Sequence, residues 1–206
     1  MDDIPAIDDF RRGYQAFQKR ERRDAMYETA TFLVNHFWGK PADMADGLGV
    51  LLLTWNQAFY RYGPFDFQKL EDCIGKNELT LDLFRRRNIV SYILDDDAVV
   101  KNLFDNFLDA LRLCEGPKKG TSSPVAVAKA LHLLGPSFFP LWDAAIAKHY
   151  GCPYSQQPAQ QYILFLRKMK EFVAMLGNVV APGEHGKSLL KLIDEYNYAR
   201  FTKHWI

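Results

Sequence analysis

The sequence predicts an all-α domain of about ten helices. Three observations predict it: apolar residues recur at steps of three and four along most of the chain, alternating period-two runs are scarce, and no repeat, low-complexity tract or Ser/Gly linker divides the 206 residues. Hydrophobic residues make up 48% of the chain and aromatics 14%, a globular composition that can fill a core. The expected organisation is a single domain over 1–206, with charged amphipathic helices in 1–40, a core in 45–151 and C-terminal helices in 155–206.

Taken in order, the chain first offers two charged amphipathic segments before Trp38, rich in Arg-Arg and Lys-Arg-Glu-Arg-Arg, whose charges read as solvated helix faces. In GLGVLLLTWNQAFYRYG, Leu48, Leu51, Leu52, Trp55, Phe59 and Tyr62 form one wide helical face, so this helix is expected to be central. DDDAVVKNLFDNFLDALRL opens with aspartates that suit a helix N-terminus and then sets Val100, Leu103, Phe104, Phe107, Leu108 and Leu111 on one side. In GPKKGTSSPVAVAKALHLLGPSFFPLWDAAIAKHYG, Ser123 and Pro124 make a side-chain cap followed by a proline at the first helical position. That helix is expected to run to Leu134 and stop at Gly135-Pro136, after which the turn SFFPLW delivers Asp143 to the next helix start. SQQPAQQYILFLRKMKEFVAMLG and GKSLLKLIDEYNYARF repeat the helical spacing.

Lys and Arg total 26 against 25 Asp and Glu, a net charge of +1, so any site for a polyanion has to be local. Cys73, Cys114 and Cys152 form no CxxC pair, and His36, His132, His185 and His204 show no metal spacing, so neither a metal nor another cofactor is expected. His149 and Cys152 lie three apart, but the helix is expected to end at Gly151, which argues against an activated thiol. The acidic start MDDIPAIDDF has no apolar core for a signal peptide and no apolar stretch is long enough to span a bilayer, so the expectation is a cytoplasmic protein with reduced thiols and no membrane partner.

APGEHGKS, residues 181–188, fits a relaxed phosphate-binding loop. Such a loop needs a buried strand before it and an acidic magnesium partner after it. A helical run precedes it and only eighteen residues follow Ser188, so no nucleotide is expected there and the segment reads as a helix–helix turn.

The segment 116–151 resembles the helix-hairpin-helix DNA glycosylases, in which a glycine-containing hairpin precedes a helix and an essential aspartate follows that helix after a short turn. Gly120-Thr121-Ser122-Ser123-Pro124-Val125-Ala126 aligns with the hairpin and puts Asp143, nineteen residues after Pro124, at the position of the aspartate. The sequence TWNQ at 54–57 resembles the place where family members carry an Asn or Gln that fills the gap left by an extruded nucleotide. The resemblance covers roughly residues 45–151. Ser122 stands where the second hairpin glycine is usual, Pro124 stands at the lysine of bifunctional members, and there is no four-cysteine cluster loop.

The resemblance implies a compact helical fold and a DNA partner carrying a damaged or modified base, which would be removed by hydrolysis of its N-glycosidic bond. Lys118, Lys119, Gly120, Thr121, Ser122 and Ser123 would hold a DNA phosphate, and Trp55, Trp142, Phe138 and Phe139 would wall a pocket for the flipped base. Asn56 or Gln57 would prop the vacated stack. Asp143 would stabilise the positive charge growing on the sugar and orient or deprotonate a water. Without a lysine at position 124 a monofunctional enzyme is expected, with Lys129 as a fallback amine. Some divergent bacterial members of this family remove modified phage bases, so phage defence stands beside repair as an implied role. The competing expectation is a helical module that binds nucleic acid or protein without chemistry.

Overall fold

The computed structural model describes residues 5–21, 24–177 and 186–206. Among the described residues every extended element is helical: α1 (Ile7–Arg20), α2 (Ala25–His36), α3 (Pro41–Trp55), α4 (Gln57–Tyr60), α5 (Phe67–Lys76), α6 (Glu78–Arg85), α7 (Asp96–Ala110), α8 (Pro124–Leu134), α9 (Ala144–His149), α10 (Pro158–Leu176) and α11 (Leu189–Asn197). A 3-10 turn at Ile89–Ser91 and a π-helical turn at Tyr198–Thr202 complete the set. The all-α expectation holds, and no described helix is long and apolar enough to cross a membrane. Arg22 and Arg23 of the basic run lie outside the described residues.

Helix α3 is central, as its wide apolar face predicts. It packs against α2, α5 and α8, and Leu48 and Leu52 are wholly buried. The expected single helix through 47–63 breaks at Asn56, because the Trp55 carbonyl accepts a 2.8 Å hydrogen bond from Lys129 Nζ. With that acceptor taken, Phe59 N–H turns to the Asn56 carbonyl and a short new turn, α4, begins. Helix α8 starts and stops where expected: Ser123 Oγ accepts from the Ala126 amide and Gly135 follows its last residue. The N-terminal helix α1 packs on the C-terminal helix α11, so the two ends of the chain share one layer.

Two loops cross beside the start of α8. Leu113 and Gly120 bond through Leu113 N–H to the Thr121 carbonyl and Gly120 N–H to the Leu113 carbonyl, while Cys114 N–H reaches the Pro64 carbonyl. At the crossing a Cβ on Gly116 would sit 2.1 Å from the Tyr62 carbonyl oxygen, so only glycine fits. This contact fastens the hairpin to the loop after α4 and brings Arg61 and Tyr62 alongside Lys118.

Candidate functional site

Asp143 caps α9, with Oδ1 accepting from the Ile146 amide at 2.8 Å and Oδ2 accepting from the Thr202 hydroxyl at 2.6 Å. The same side chain lines a cleft of about 310 Å³, the larger part of whose wall is apolar: Phe17, Met26, Trp55, Leu141, Trp142 and the ring of Tyr198. Its polar lining comes from Asp143, Lys129 on α8, Lys191 and Asp194 on α11, and Glu21 and Asp24 at the ends of α1 and α2. Asp143 therefore faces a walled space that Lys129, Lys191, Asp194, Asp24 and Glu21 also line.

Lys129 donates to the Trp55 carbonyl and lies over the Trp55 ring, 4.7 Å from its centroid. Burial lowers its amine to about 8, against the pull of Asp194 and Asp143. Lys191 is 2% exposed and sits 3.1 Å from Asp24, 3.3 Å from Asp194 and 3.7 Å from Glu195. Burial works against its charge, yet Asp194, Asp24 and Glu195 outweigh that and hold the ammonium above its ordinary range. Lys187 supports the same cluster, 2.6 Å from Glu195 and 3.2 Å from Asp24. Gln18 donates to the other oxygen of Glu195 at 2.6 Å.

Beneath the cleft, His132 Nδ1 lies 2.7 Å from the Phe139 carbonyl, so that nitrogen carries the proton and Nε2 accepts from the Tyr27 hydroxyl at 3.2 Å. Tyr27 in turn packs edge-on against Trp55 and lies under Lys191, whose ammonium is 4.7 Å from the ring centroid. Burial depresses the His132 imidazole to about 3. In the unfolded chain it titrates near 6.5, so its contribution to stability is present above that pH and is lost as pH falls from about 6.5 towards 3. Urea unfolding at pH 7 and pH 4 should therefore show the wild type losing on the order of 3 kcal/mol more than His132→Gln, which cannot take up the proton. Equal losses would mean that the ring is not held neutral.

The structure moves several expected site residues. Phe138 and Phe139 are fully buried and pack against Phe84, with ring centroids 4.5 and 5.2 Å away, so they are core and not pocket wall. The turn folds inward because burying two phenyl rings outweighs exposing them in a cleft. Trp55 and Trp142 do line the cleft. Asn56 donates to Ser123 Oγ at 3.1 Å, which ties it to the hairpin, while Gln57 is exposed. Ser123 is buried and its hydroxyl is engaged by Asn56 and the α8 cap.

Of the hairpin amides, those of Gly120 and Thr121 bond to the Leu113 and Lys118 carbonyls, which leaves those of Ser122 and Ser123. Lys118 and Lys119 are exposed, and Lys118 Nζ lies 3.6 Å from the Tyr62 ring centroid. Arg61, which donates to the Tyr62 hydroxyl at 2.7 Å, is a neighbour that sequence reasoning missed. Its hydrogen bond and that of Lys118 lower the Tyr62 phenol. At the phosphate-loop-like segment, residues 181–185 lie outside the described residues. Lys187 is committed to the buried cluster, Ser188 caps α11 through the Lys191 amide, and a helix, α10, leads into the segment.

Asp194, Lys191 and Asp24 were also missed. For the first two the signal was a charged stripe on α11, where Lys191, Asp194 and Glu195 share one helical face, and such a stripe ordinarily faces water. Comparison of the chain with protein-family models, with curated proteins and with solved structures finds no match.

Proposed function

We propose that this protein is a DNA glycosylase that hydrolyses the N-glycosidic bond of a flipped-out modified or damaged base. The observation that carries the reading is Asp143, held by its own helix cap on the wall of an aromatic cleft of about 310 Å³ and joined through α8 to an exposed basic hairpin. A base removed from a duplex must leave the stack and enter a pocket that stacks on it; the partly buried Trp55 supplies that surface, and the buried Trp142 closes the wall beside it. A carboxylate beside the sugar stabilises the cation that develops as the bond breaks. Lys118, Lys119 and Arg61 add local positive charge near the Ser122 amide, which suits a phosphate contact that positions the duplex without reading its sequence.

The test is incubation with duplexes carrying different base modifications, followed by alkaline cleavage at abasic sites. Strand cleavage at the modified position is the expected result; binding without abasic sites from any duplex would instead favour a non-catalytic module. Binding itself should weaken with salt, and Lys118→Ala/Lys119→Ala should lessen the slope of log K against log[salt] by about 1 to 2, since each phosphate contact adds close to 0.9. An unchanged slope would remove the hairpin from the interface.

One observation favours a second reading of the same cleft. The Lys129 amine shares it with Asp143 and is lowered to about 8, so an appreciable fraction is free base near neutral pH. Attack of that amine on C1′ would expel the base and leave an imine to the protein. Borohydride trapping of a protein–DNA adduct distinguishes this from attack by water.

A further inference from the structure

Two of the carboxylates that line the cleft, Asp143 and Asp194, come from different parts of the fold, and their surroundings differ. Asp143 uses both oxygens as acceptors, for the Ile146 amide and the Thr202 hydroxyl, the behaviour of an acceptor-only carboxylate. Among the described residues Asp194 forms an ion pair with Lys191 alone, at 3.3 Å, and that ammonium is shared with Asp24 at 3.1 Å. Lys187 gives Asp194 no help, being bound to Glu195 and Asp24. Among the described residues, the cleft and the cluster behind it gather Glu21, Asp24, Asp143, Asp194 and Glu195 around Lys129, Lys187 and Lys191, more carboxylates than ammoniums.

Such a cluster disfavours a leaving base that departs as an anion, and it is relieved if one carboxyl group carries a proton and hands it over. We propose that Asp194 is the general acid of this cleft, and that the substrate class is a neutral purine with a protonatable ring nitrogen, not a base already made cationic by alkylation. The inference rests on the glycosylase reading above.

In the step, the C1′–N bond breaks and its electron pair leaves on the base, while the Asp194 proton transfers to a ring nitrogen. Water bonds to C1′ and loses a proton to Asp143, and exchange with solvent returns a proton to Asp194. The net change adds H to the base and OH to the sugar. Two carboxyl groups in unlike environments can divide the acid and charge-stabilising tasks in this way.

Burial supports the assignment by pushing the Asp194 carboxyl up to about 6, although Lys191 pulls it down. Its own helix presents Lys191 and Glu195 to it, the π-helical turn presents Tyr198, α8 presents Lys129, the turn before α9 presents Asp143, and Glu21 and Asp24 face it from the ends of α1 and α2. The protonated form is the active one, so release of a neutral purine falls as pH rises through about 6.

The experiment compares single-turnover base release by the full-length wild type, Asp194→Asn and Asp194→Glu on duplexes carrying either a neutral purine lesion, hypoxanthine or 8-oxoguanine, or cationic 7-methylguanine, across pH 5 to 8. The wild type should release a neutral purine with a rate that declines at higher pH. Asp194→Asn should lower that rate by about 10²-fold or more and flatten the pH dependence, while Asp194→Glu retains both. Any 7-methylguanine release should change less than about 10-fold in Asp194→Asn, which also reports an intact cleft. Release of cationic bases only, or an Asp194→Asn variant with unaltered rate and pH profile, would overturn the acid assignment and leave the glycosylase standing. If the wild type frees no base from any duplex, the glycosylase reading falls and this one with it.

Discussion

Asp143→Asn is expected to lower base release by about 10³-fold while leaving DNA binding and folding nearly unchanged. The amide oxygen of asparagine can still accept from the Ile146 N–H, and asparagine caps helices about as well as aspartate, so α9 keeps its start. The lost feature is the negative charge, which the proposed reaction places beside the sugar. In a cleft lined by Trp55, Trp142 and Leu141, that charge acts at low dielectric and is worth more than it would be in water. Stability should change by less than about 0.5 kcal/mol in urea unfolding. Asp143→Ala should in contrast lose about 1 kcal/mol, because the cap goes as well. An Asn variant that releases base at the wild-type rate would reduce Asp143 to a helix cap.

Lys191→Met carries the largest expected cost in stability, about 3–5 kcal/mol at pH 7. Methionine matches the aliphatic stem and can still pack against Phe17 and Tyr27, whose ring centroids lie 5.0 and 4.7 Å from the ammonium. What it removes is the cation shared by Asp24, Asp194 and Glu195, leaving Lys187 on Asp24 and Glu195 and no ion pair for Asp194 among the described residues. Carboxylates stripped of a buried partner take up protons more readily, so the difference from wild type should narrow as pH falls from 7 to 5. Adding Asp194→Asn to Lys191→Met should recover part of the loss, and the double-mutant cycle in urea measures the coupling directly. A loss under about 1 kcal/mol, flat with pH, would mean that the cluster is solvated and not buried.

Local signals in the sequence were enough for much of the architecture and for one side of the site. The cap and proline at Ser123–Pro124, the stop at Gly135 and the cap at Asp143 all act through backbone groups within a few residues, so their chemistry can be read from adjacent letters. The same holds for the apolar face of α3, whose period alone announces a buried helix. Phe138 and Phe139 were less legible, because an aromatic pair on a turn is equally suited to a pocket wall or to a core. Contact with Phe84, over fifty residues away, settles that choice.

By itself, then, the order of residues determined an all-helical chain with its principal caps and turns and set Asp143 at a helix start, since each depends on interactions within one or two turns of backbone. Only the tertiary structure decided that the charged stripe of α11 is buried. Lys191, Asp194 and Glu195 have the spacing of a solvated face, and it is α1 and the start of α2, folding over that face with Phe17 and Asp24, that turn it into the floor of a cleft opposite Asp143. Helical period records which residues share a side but not what will cover it, and in this protein the cover comes from the far end of the chain.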